Sequence, residues 1–187
     1  MSIFKGKFTI TSPRGFRTHP ITGEKNSYHK GVDIVGIDSN IILCGASGIV
    51  EATPYEHNGF GYYVRIRTID NKRLYYAHMK KDSFMVKTGD KVNIGTPLGI
   101  MGSTGSSTGL HVHVELRDSG TGKNDLDVNS YLGIPNIKGT YVGENEEFYN
   151  AIKQVQRKAK LENKTMSYLE AYEWGRDLIM KLHYAMR

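Results

Sequence analysis

The chain has 187 residues, of which 39% are hydrophobic and 24% are charged, enough for about one domain with a core of its own. Its longest apolar runs are far shorter than the ~20 residues of a membrane-spanning helix, and its single cysteine, Cys44, excludes an internal disulfide. The net charge of +6 favours polyanionic partners, but the cationic residues are scattered among acids and aromatics, so we expect no nucleic-acid binding and no stable membrane insertion.

The first part of the chain predicts a compact antiparallel β domain. Glycine and β-branched or aromatic residues recur there in short runs separated by turn signals. The runs are GKFTI, GVDIVG, SGIVEA, YYVRIRTI, RLYYAHM, PLGIMG and HVHVEL. Asp70, Asn71 and Lys72 form a short polar connector between YYVRIRTI and RLYYAHM, which indicates a β-hairpin. The pattern favours an antiparallel sheet folded on itself, like a barrel.

The residues from Glu144 to Arg187 predict a helical C-terminal extension. They contain no proline and one glycine, and helix-forming residues dominate. Apolar residues step by three and four positions in two groups. The groups are Phe148, Ile152, Val155 and Ala159, then Leu169, Tyr172, Ile179 and Leu182. We therefore expect two helices broken near residues 162–165, and an α+β chain in which residues 1–137 form the β domain and residues 138–187 the extension.

Two histidines stand two positions apart in the run HVHVEL. Successive side chains of a strand point to opposite faces, so His111 and His113 share one face while Val112 and Val114 share the other. The valines can pack in a core while the imidazoles converge on a common target. Taken alone, such a pair is more typical of a half-exposed strand at the surface than of a functional site.

A second pair, His29 and Asp33, lies four positions apart in the segment YHKGVD. Imidazole and carboxylate are both ligands of catalytic zinc, and a site with two histidines and one carboxylate leaves the fourth position for water. His78 ends the predicted strand YYAHM, where a hydrogen-bonded or solvent-facing histidine is the simpler interpretation. Together these segments bring four histidines and one suitable carboxylate to strand ends flanked by glycine.

The segments HKGVD, YAHM and GSTGSSTGLHVHVEL occur in this order, after the lead-in RGFRTHPITGEKNSYHKGVD. In this combination the sequence resembles the lysostaphin-type, LytM-like zinc endopeptidases, which cut peptidoglycan peptides. The matching segments run from Pro13 to Leu116. The departures are mild, because Leu110 stands where a proline is frequent and Val114 where an aromatic residue is usual, and both concern the lining of the groove.

The resemblance implies that His29, Asp33 and His113 bind one zinc ion per chain, and that His78 and His111 are catalytic histidines without metal. It leaves open which of the two takes a proton from the attacking water and which stabilises the oxyanion. The implied partners are peptidoglycan peptides. On this interpretation Glu115 either orients His113 or is an exposed residue of the strand.

Three functional hypotheses remain. The first is an active zinc endopeptidase of the cell wall. The second is a catalytically inactive domain of the same fold that binds wall peptides or regulates another hydrolase. The third, compatible with the first, is a structural component, for instance of a phage particle.

The N-terminal sequence MSIFKGKFTITSPRGFR lacks the pattern of a secretory signal, so we expect synthesis in the cytoplasm and action on the cell wall. Such a setting is typical of a phage endolysin or a virion-associated lysin. The C-terminal helices are expected to pack against their own domain, to mediate self-association or to dock onto a virion.

Overall fold

The computed structural model of the protein describes residues 3–119, 124–143 and 154–160, together with Leu178, Leu182 and Ala185. Within these residues the chain is built mainly from short antiparallel strands. The strands are β1 (Lys7–Ser12), β2 (Gly15–Arg17), β3 (Ser27–His29), β4 (Val32–Gly36), β5 (Ile41–Leu43), β6 (Gly48–Ala52), β7 (Tyr55–Glu56), β8 (Gly61–Thr68), β9 (Arg73–Met79), β10 (Lys91–Val92), β11 (Pro97–Ile100), β12 (Val112–Arg117), β13 (Asp125–Leu126) and β14 (Gly139–Val142). Helix α1 (Val128–Leu132) follows β13.

The main sheet has the strand order β10, β6, β8, β9, β12, β4, β1 and β14, with β7 added to β8 and β13 added to β12. Strands β11 and β5 form one small ribbon, and strands β2 and β3 form another. The predicted fold class, α+β with a dominant antiparallel sheet, is confirmed. Within the described residues the edge strands β10 and β14 do not pair with each other, so the sheet is open rather than a closed barrel. Both edge strands are short: β10 has two residues and β14 has four.

The hairpin predicted around Asp70 joins β8 and β9 at the centre of the sheet. Arg67 pairs with Arg73 across the two strands. Asn71 in the turn has a left-handed backbone with a φ of 60°, a conformation that asparagine tolerates better than most residues. The two longest strands of the fold are thus joined by a local contact.

The alternation in HVHVEL is confirmed by the packing of β12. Val112 and Val114 are fully buried in the core, opposite Ile34 and Val32 of the neighbouring strand β4. Complete burial of each such side chain contributes about 1.5–3 kcal/mol to folding. Since the valines are held in the core, the imidazoles of the same segment point to the opposite face, where the candidate site lies.

Helix α1 is not predicted by the sequence analysis, because five residues are too few for a periodic apolar pattern. Its two ends carry helix-capping signals. The Asp127 carboxylate accepts hydrogen bonds from the backbone N–H groups of Asn129 and Ser130. Gly133 ends the helix with a left-handed φ of 64°, which glycine adopts without steric cost.

Strand β14 pairs with β1, so the sheet continues beyond residue 137, where the β domain is predicted to end. The open edge of β1 supplies hydrogen-bonding groups that the sequence of β14 alone does not reveal.

Residues 154–159 are helical and Val155 is buried, in agreement with the first predicted helix. The break near residues 162–165 and most of the second predicted helix lie outside the described residues, and the division into two units stays a prediction. Among the described residues, no helix has the length and apolar character needed to cross a membrane.

Candidate metal centre and active site

Three strands bring His29, Asp33 and His113 together. Asp33 on β4 lies directly opposite His113 on β12 in the sheet, and His29 ends the short strand β3. Between His29 and Asp33 the chain turns at Gly31, where a Cβ atom would collide with the Val114 carbonyl and the His113 ring. All three side chains are buried. The geometry thus depends on a glycine that lets two segments approach closely.

The three donor atoms form a small triangle. Nε2 of His29 lies 3.0 Å from Nδ1 of His113 and 3.2 Å from Oδ1 of Asp33, and Nδ1 of His113 lies 2.8 Å from the same Oδ1. Ligand atoms bound at ~2.0–2.1 Å to a tetrahedral zinc are separated by ~3.3 Å. The triangle therefore has almost the size of one face of a zinc coordination tetrahedron.

The second nitrogen of each ring is bound in a way that leaves the donor nitrogen available. Nδ1 of His29 lies 2.9 Å from the Pro13 carbonyl, which can only accept, so this nitrogen carries the proton. Nε2 of His113 lies 3.3 Å from the Glu115 carboxylate, which also accepts. In the neutral rings, two lone pairs therefore face each other at 3.0 Å beside a carboxylate. A cation satisfies this arrangement, and the residues present fit a zinc ion.

The electrostatics of the triangle favour bound positive charge. Burial raises the pKa of Asp33, but its close contacts with the His113 and His29 rings outweigh burial and hold this pKa well below its usual range. Burial lowers the pKa of His113, yet its hydrogen bonds with Asp33 and Glu115 raise that pKa to about 9. The surroundings that hold a proton on His113 are the same ones that attract a divalent cation.

The two other predicted histidines lie beside the triangle. The rings of His78 and His111 have their centroids 4.8 Å apart, and Nε2 of His111 lies 3.7 Å from Oδ1 of Asp33. Nδ1 of His78 donates to the Thr104 carbonyl at 2.8 Å, and Nδ1 of His111 donates to the Gly109 carbonyl at 2.8 Å. Both rings therefore keep Nε2 as the nitrogen available to a ligand.

His78 is buried, and burial lowers its pKa to about 4 against the opposing effect of the Thr104 carbonyl. Its imidazole is therefore neutral near pH 7, which is the form that can accept a proton. Its backbone is also unusual, since φ is 59° at a residue other than glycine.

All five predicted residues line one cleft with a volume of about 510 Å³, within the range of ligand-binding pockets. Phe60 also lines the cleft, with its ring 5.8 Å from that of His113. Ile21 and Leu110 are more than half exposed at its rim. The cleft thus combines a polar, histidine-rich floor with an apolar rim, a combination suited to an extended peptide.

Sequence reasoning missed the role of backbone carbonyls and of two arginines. Nη1 of Arg17 donates to the Ser12 hydroxyl at 2.8 Å and lies 3.5 Å from Oδ2 of Asp33. Nε of Arg117 donates to Glu115 at 2.6 Å. Arg117 could have been found, because it continues the two-residue alternation of His113 and Glu115 along β12.

Glu115 is buried and bonded to His113, so of the two interpretations left open by the sequence, the structure favours the orienting one. Burial raises its pKa, but the hydrogen bonds with His113 and Arg117 lower it to about 2, so the side chain is a carboxylate at neutral pH. We expect Glu115→Gln to reduce zinc affinity by about 10- to 100-fold, because the amide holds the His113 N–H less firmly. Competition titration with a chelating dye measures this change.

The matched control for Glu115→Gln is Glu51→Gln. Glu51 is also a carboxylate bound to arginines, at 2.8 Å to Arg65 and 3.1 Å to Arg73, but it does not touch the triangle. Its substitution is expected to leave zinc affinity unchanged. Equal affinity of the Glu115→Gln protein and the unmodified protein would show that Glu115 does not orient His113.

Comparison with known proteins gives a consistent result. The sequence model of Peptidase family M23 matches residues 27–126. The chain is 32% identical over 145 residues to an uncharacterized metalloprotease of Haemophilus influenzae, across 77% of this chain and 29% of that protein. It is 36% identical over 112 residues to the peptidoglycan DD-endopeptidase ShyC of Vibrio cholerae, across 60% of this chain and 25% of that protein. The chain spans 25–29% of the length of eight curated relatives, including these two.

Solved structures agree with these sequence matches. The catalytic domain of lysostaphin from Staphylococcus simulans superimposes with a TM-score of 0.57 at 26% identity, covering 68% of this chain and 91% of that one. A mutant catalytic domain of the prophage-encoded M23 protein EnpA from Enterococcus faecalis superimposes with a TM-score of 0.53 at 34% identity, covering 63% of this chain and 85% of that one.

Proposed function

Because the chain belongs to Peptidase family M23, we propose that it is a zinc-dependent endopeptidase that hydrolyses peptide bonds in the stem or cross-bridge peptides of bacterial peptidoglycan. The observation that carries this proposal is the buried triangle of His29, Asp33 and His113, with two further imidazoles beside it. Two relatives support the choice of substrate: ShyC is named a peptidoglycan DD-endopeptidase, and Mpg of Neisseria meningitidis is named a DD-carboxypeptidase/endopeptidase.

In the proposed enzyme, His29 through Nε2, Asp33 through Oδ1 and His113 through Nδ1 hold one zinc ion. When bound, the ion supplies a Lewis acid for the scissile carbonyl and lowers the pKa of a water molecule towards ~7. Asp33 contributes the negative charge that keeps the cation in a buried place. Glu115 and the Pro13 carbonyl keep both imidazoles turned so that their lone pairs point inward.

His78 and His111 take different roles, one in proton transfer and the other in stabilising the oxyanion. Because Nδ1 of each ring is bound to a backbone carbonyl, Nε2 is the atom that faces the cleft. One ring accepts a proton at Nε2 from the attacking water and passes a proton to the leaving amine. The other ring, protonated on both nitrogens, donates a hydrogen bond from Nε2 to the oxyanion.

A second candidate function is regulation of another hydrolase without cleavage. One relative, 32% identical over 104 residues and 56% of this chain, is the murein hydrolase activator NlpD of Escherichia coli. The complete set of three metal-binding side chains and the two oriented imidazoles favour the hydrolase. A domain that only binds wall peptides needs neither. Similarity to the prophage-encoded EnpA is compatible with a phage lysin as the biological setting.

The test is digestion of purified peptidoglycan by the full chain, followed by mass spectrometry of the soluble peptides. We expect new amine termini with the zinc-loaded protein, none after treatment with a chelator, and recovery when zinc is restored. A zinc-loaded protein that binds peptidoglycan but releases no new amine termini contradicts the hydrolase and supports the regulator.

A further inference from the structure

The loop formed by residues 103–110 connects two parts of the site that the proposed mechanism treats separately. Its Thr104 carbonyl binds Nδ1 of His78, and its Gly109 carbonyl binds Nδ1 of His111, each at 2.8 Å. The two rings come from different segments, yet one loop determines which of their nitrogens carries the proton. This loop is called the carbonyl loop below.

We propose that Thr104 is a positioning residue whose carbonyl sets the tautomer of His78 and whose hydroxyl fixes that carbonyl in place. The inference rests on the proposed function, in which a neutral His78 with its proton on Nδ1 must present an unprotonated Nε2 to the cleft. Thr104 itself is not among the residues that line the cleft, and it contacts the His78 ring at Nδ1.

The Thr104 hydroxyl joins the carbonyl loop to the two central strands. It donates to the Met79 carbonyl at 2.7 Å, and it accepts a hydrogen bond from the backbone N–H of Tyr62 at 3.0 Å. Met79 directly follows His78, so the residue that accepts from the His78 ring also holds the backbone beside it. Side chain and main chain of Thr104 therefore act on His78 from two directions.

The backbone of His78 needs such support. Its φ of 59° lies in the left-handed region, which residues other than glycine adopt uncommonly and at a cost that the surroundings must offset. On one side the His78 N–H donates to the Phe60 carbonyl at 2.8 Å, and on the other side the Met79 carbonyl accepts from Thr104. Removing the threonine hydroxyl takes away one of these two restraints.

Two glycines allow the carbonyl loop to pack closely against the start of β8. Gly61 and Gly105 both have a positive φ, 63° and 71°. A Cβ on Gly61 would collide with Thr104, and a Cβ on Gly105 would collide with the backbone of Gly59 and Gly61. The carbonyl loop thus lies directly against the start of β8, and the Thr104 hydroxyl is the polar anchor of that contact.

The chemical consequence concerns one proton. A neutral imidazole carries its proton on Nδ1 or on Nε2, and the acceptor beside Nδ1 selects the first tautomer. If the Thr104 carbonyl moves away, part of the population places the proton on Nε2 and loses the lone pair that faces the cleft. Proton transfer then slows, although the zinc ligands and the rim of the cleft are unchanged.

The test compares Thr104→Val, which keeps the shape but loses the hydroxyl, with Thr104→Ser, which keeps the hydroxyl. In the zinc-loaded full chain, ¹⁵N NMR of labelled histidine reports the tautomer of His78, whose signals are identified by their absence in His78→Ala. We expect a single Nδ1–H tautomer in the unmodified protein and in Thr104→Ser, and a mixture in Thr104→Val. The expected kcat of Thr104→Val on peptidoglycan is about 10- to 100-fold lower, with KM and zinc content unchanged, because only part of the general acid-base contribution is lost.

The control is Thr140→Val on the edge strand β14. It removes a hydroxyl that is hydrogen-bonded to the Thr9 hydroxyl of β1 at 2.9 Å. It is expected to change neither the His78 tautomer nor kcat. The inference is overturned if Thr104→Val keeps both the single tautomer and the full kcat. It is also overturned if His78 of the unmodified protein carries its proton on Nε2, a result that requires no variant to fold. The tautomer is measured without cleavage, so a failure of the proposed function is recognised separately, by the absence of hydrolysis in the unmodified protein.

Discussion

Replacing Asp33 with asparagine is expected to strip the protein of zinc and of hydrolytic activity. Asparagine preserves the shape of the side chain but removes the negative charge that lies 2.8 Å and 3.2 Å from the donor nitrogens of His113 and His29. Two neutral imidazoles in a buried place then hold a divalent cation poorly. The loss of affinity should exceed the ~10- to 100-fold effect of losing a residue that only supports a ligand.

Zinc content after gel filtration, measured by mass spectrometry of the metal, checks this prediction. His29→Ala is expected to give the same result, since it removes the nitrogen at the second corner of the triangle. Asp38→Asn is the matched control, because Asp38 is exposed and accepts a hydrogen bond from the Lys7 backbone N–H, outside the triangle. A full equivalent of tightly bound zinc in the Asp33→Asn protein would falsify the assignment of this carboxylate as a ligand.

His78→Ala and His111→Ala, in contrast to Asp33→Asn, are expected to retain zinc and to lose turnover. Neither ring belongs to the donor triangle, but both offer Nε2 to the same cleft. Loss of one positioned acid-base group lowers kcat by ~10²- to 10⁴-fold. The double variant should be little slower than the worse single variant, because groups that act as a unit are not additive.

The measurements are zinc content and kcat on peptidoglycan for each purified variant. His57→Ala serves as the control, since His57 is an exposed histidine that bonds Tyr55 outside the cleft. Loss of zinc from His78→Ala or His111→Ala would assign that residue to the metal and would require a different ligand set. Unchanged kcat in either variant would remove it from the proton transfers.

Local patterns were sufficient to predict much of the β domain. Alternation along HVHVEL correctly placed Val112 and Val114 in the core and the histidines on the other face. The hairpin at Asp70 followed from turn chemistry between two β-rich runs. Both features depend on contacts between residues near each other in the sequence, which is why spacing alone reveals them.

Contacts between distant segments were not predictable from local patterns. Asp33 and His113 are 80 positions apart, and only the pairing of β4 with β12 makes them neighbours. Their grouping came from the resemblance to a family rather than from physical reasoning, and the roles of the five residues stay predictions. The pairing of β14 with β1 was missed for the same reason, because an edge strand takes its partner from the fold.

The orienting contacts of the histidines were missed for a different reason. Three of them use backbone carbonyls, those of Pro13, Thr104 and Gly109. A carbonyl oxygen is present at every residue, so no residue type marks the positions where one accepts from an imidazole. Only the conformation of the chain reveals which carbonyls serve the site.

The left-handed backbone at His78 implies a trade-off between catalytic activity and the free energy of unfolding. A left-handed backbone at a residue other than glycine costs of order 1–3 kcal/mol, and glycine or asparagine would adopt the φ of residue 78 more readily than histidine. Selection for heat resistance alone therefore favours substitutions at the very position where the proposed mechanism needs an imidazole. Any engineering of a more durable variant should hold residue 78 constant and seek its gains in the core and at the sheet edges.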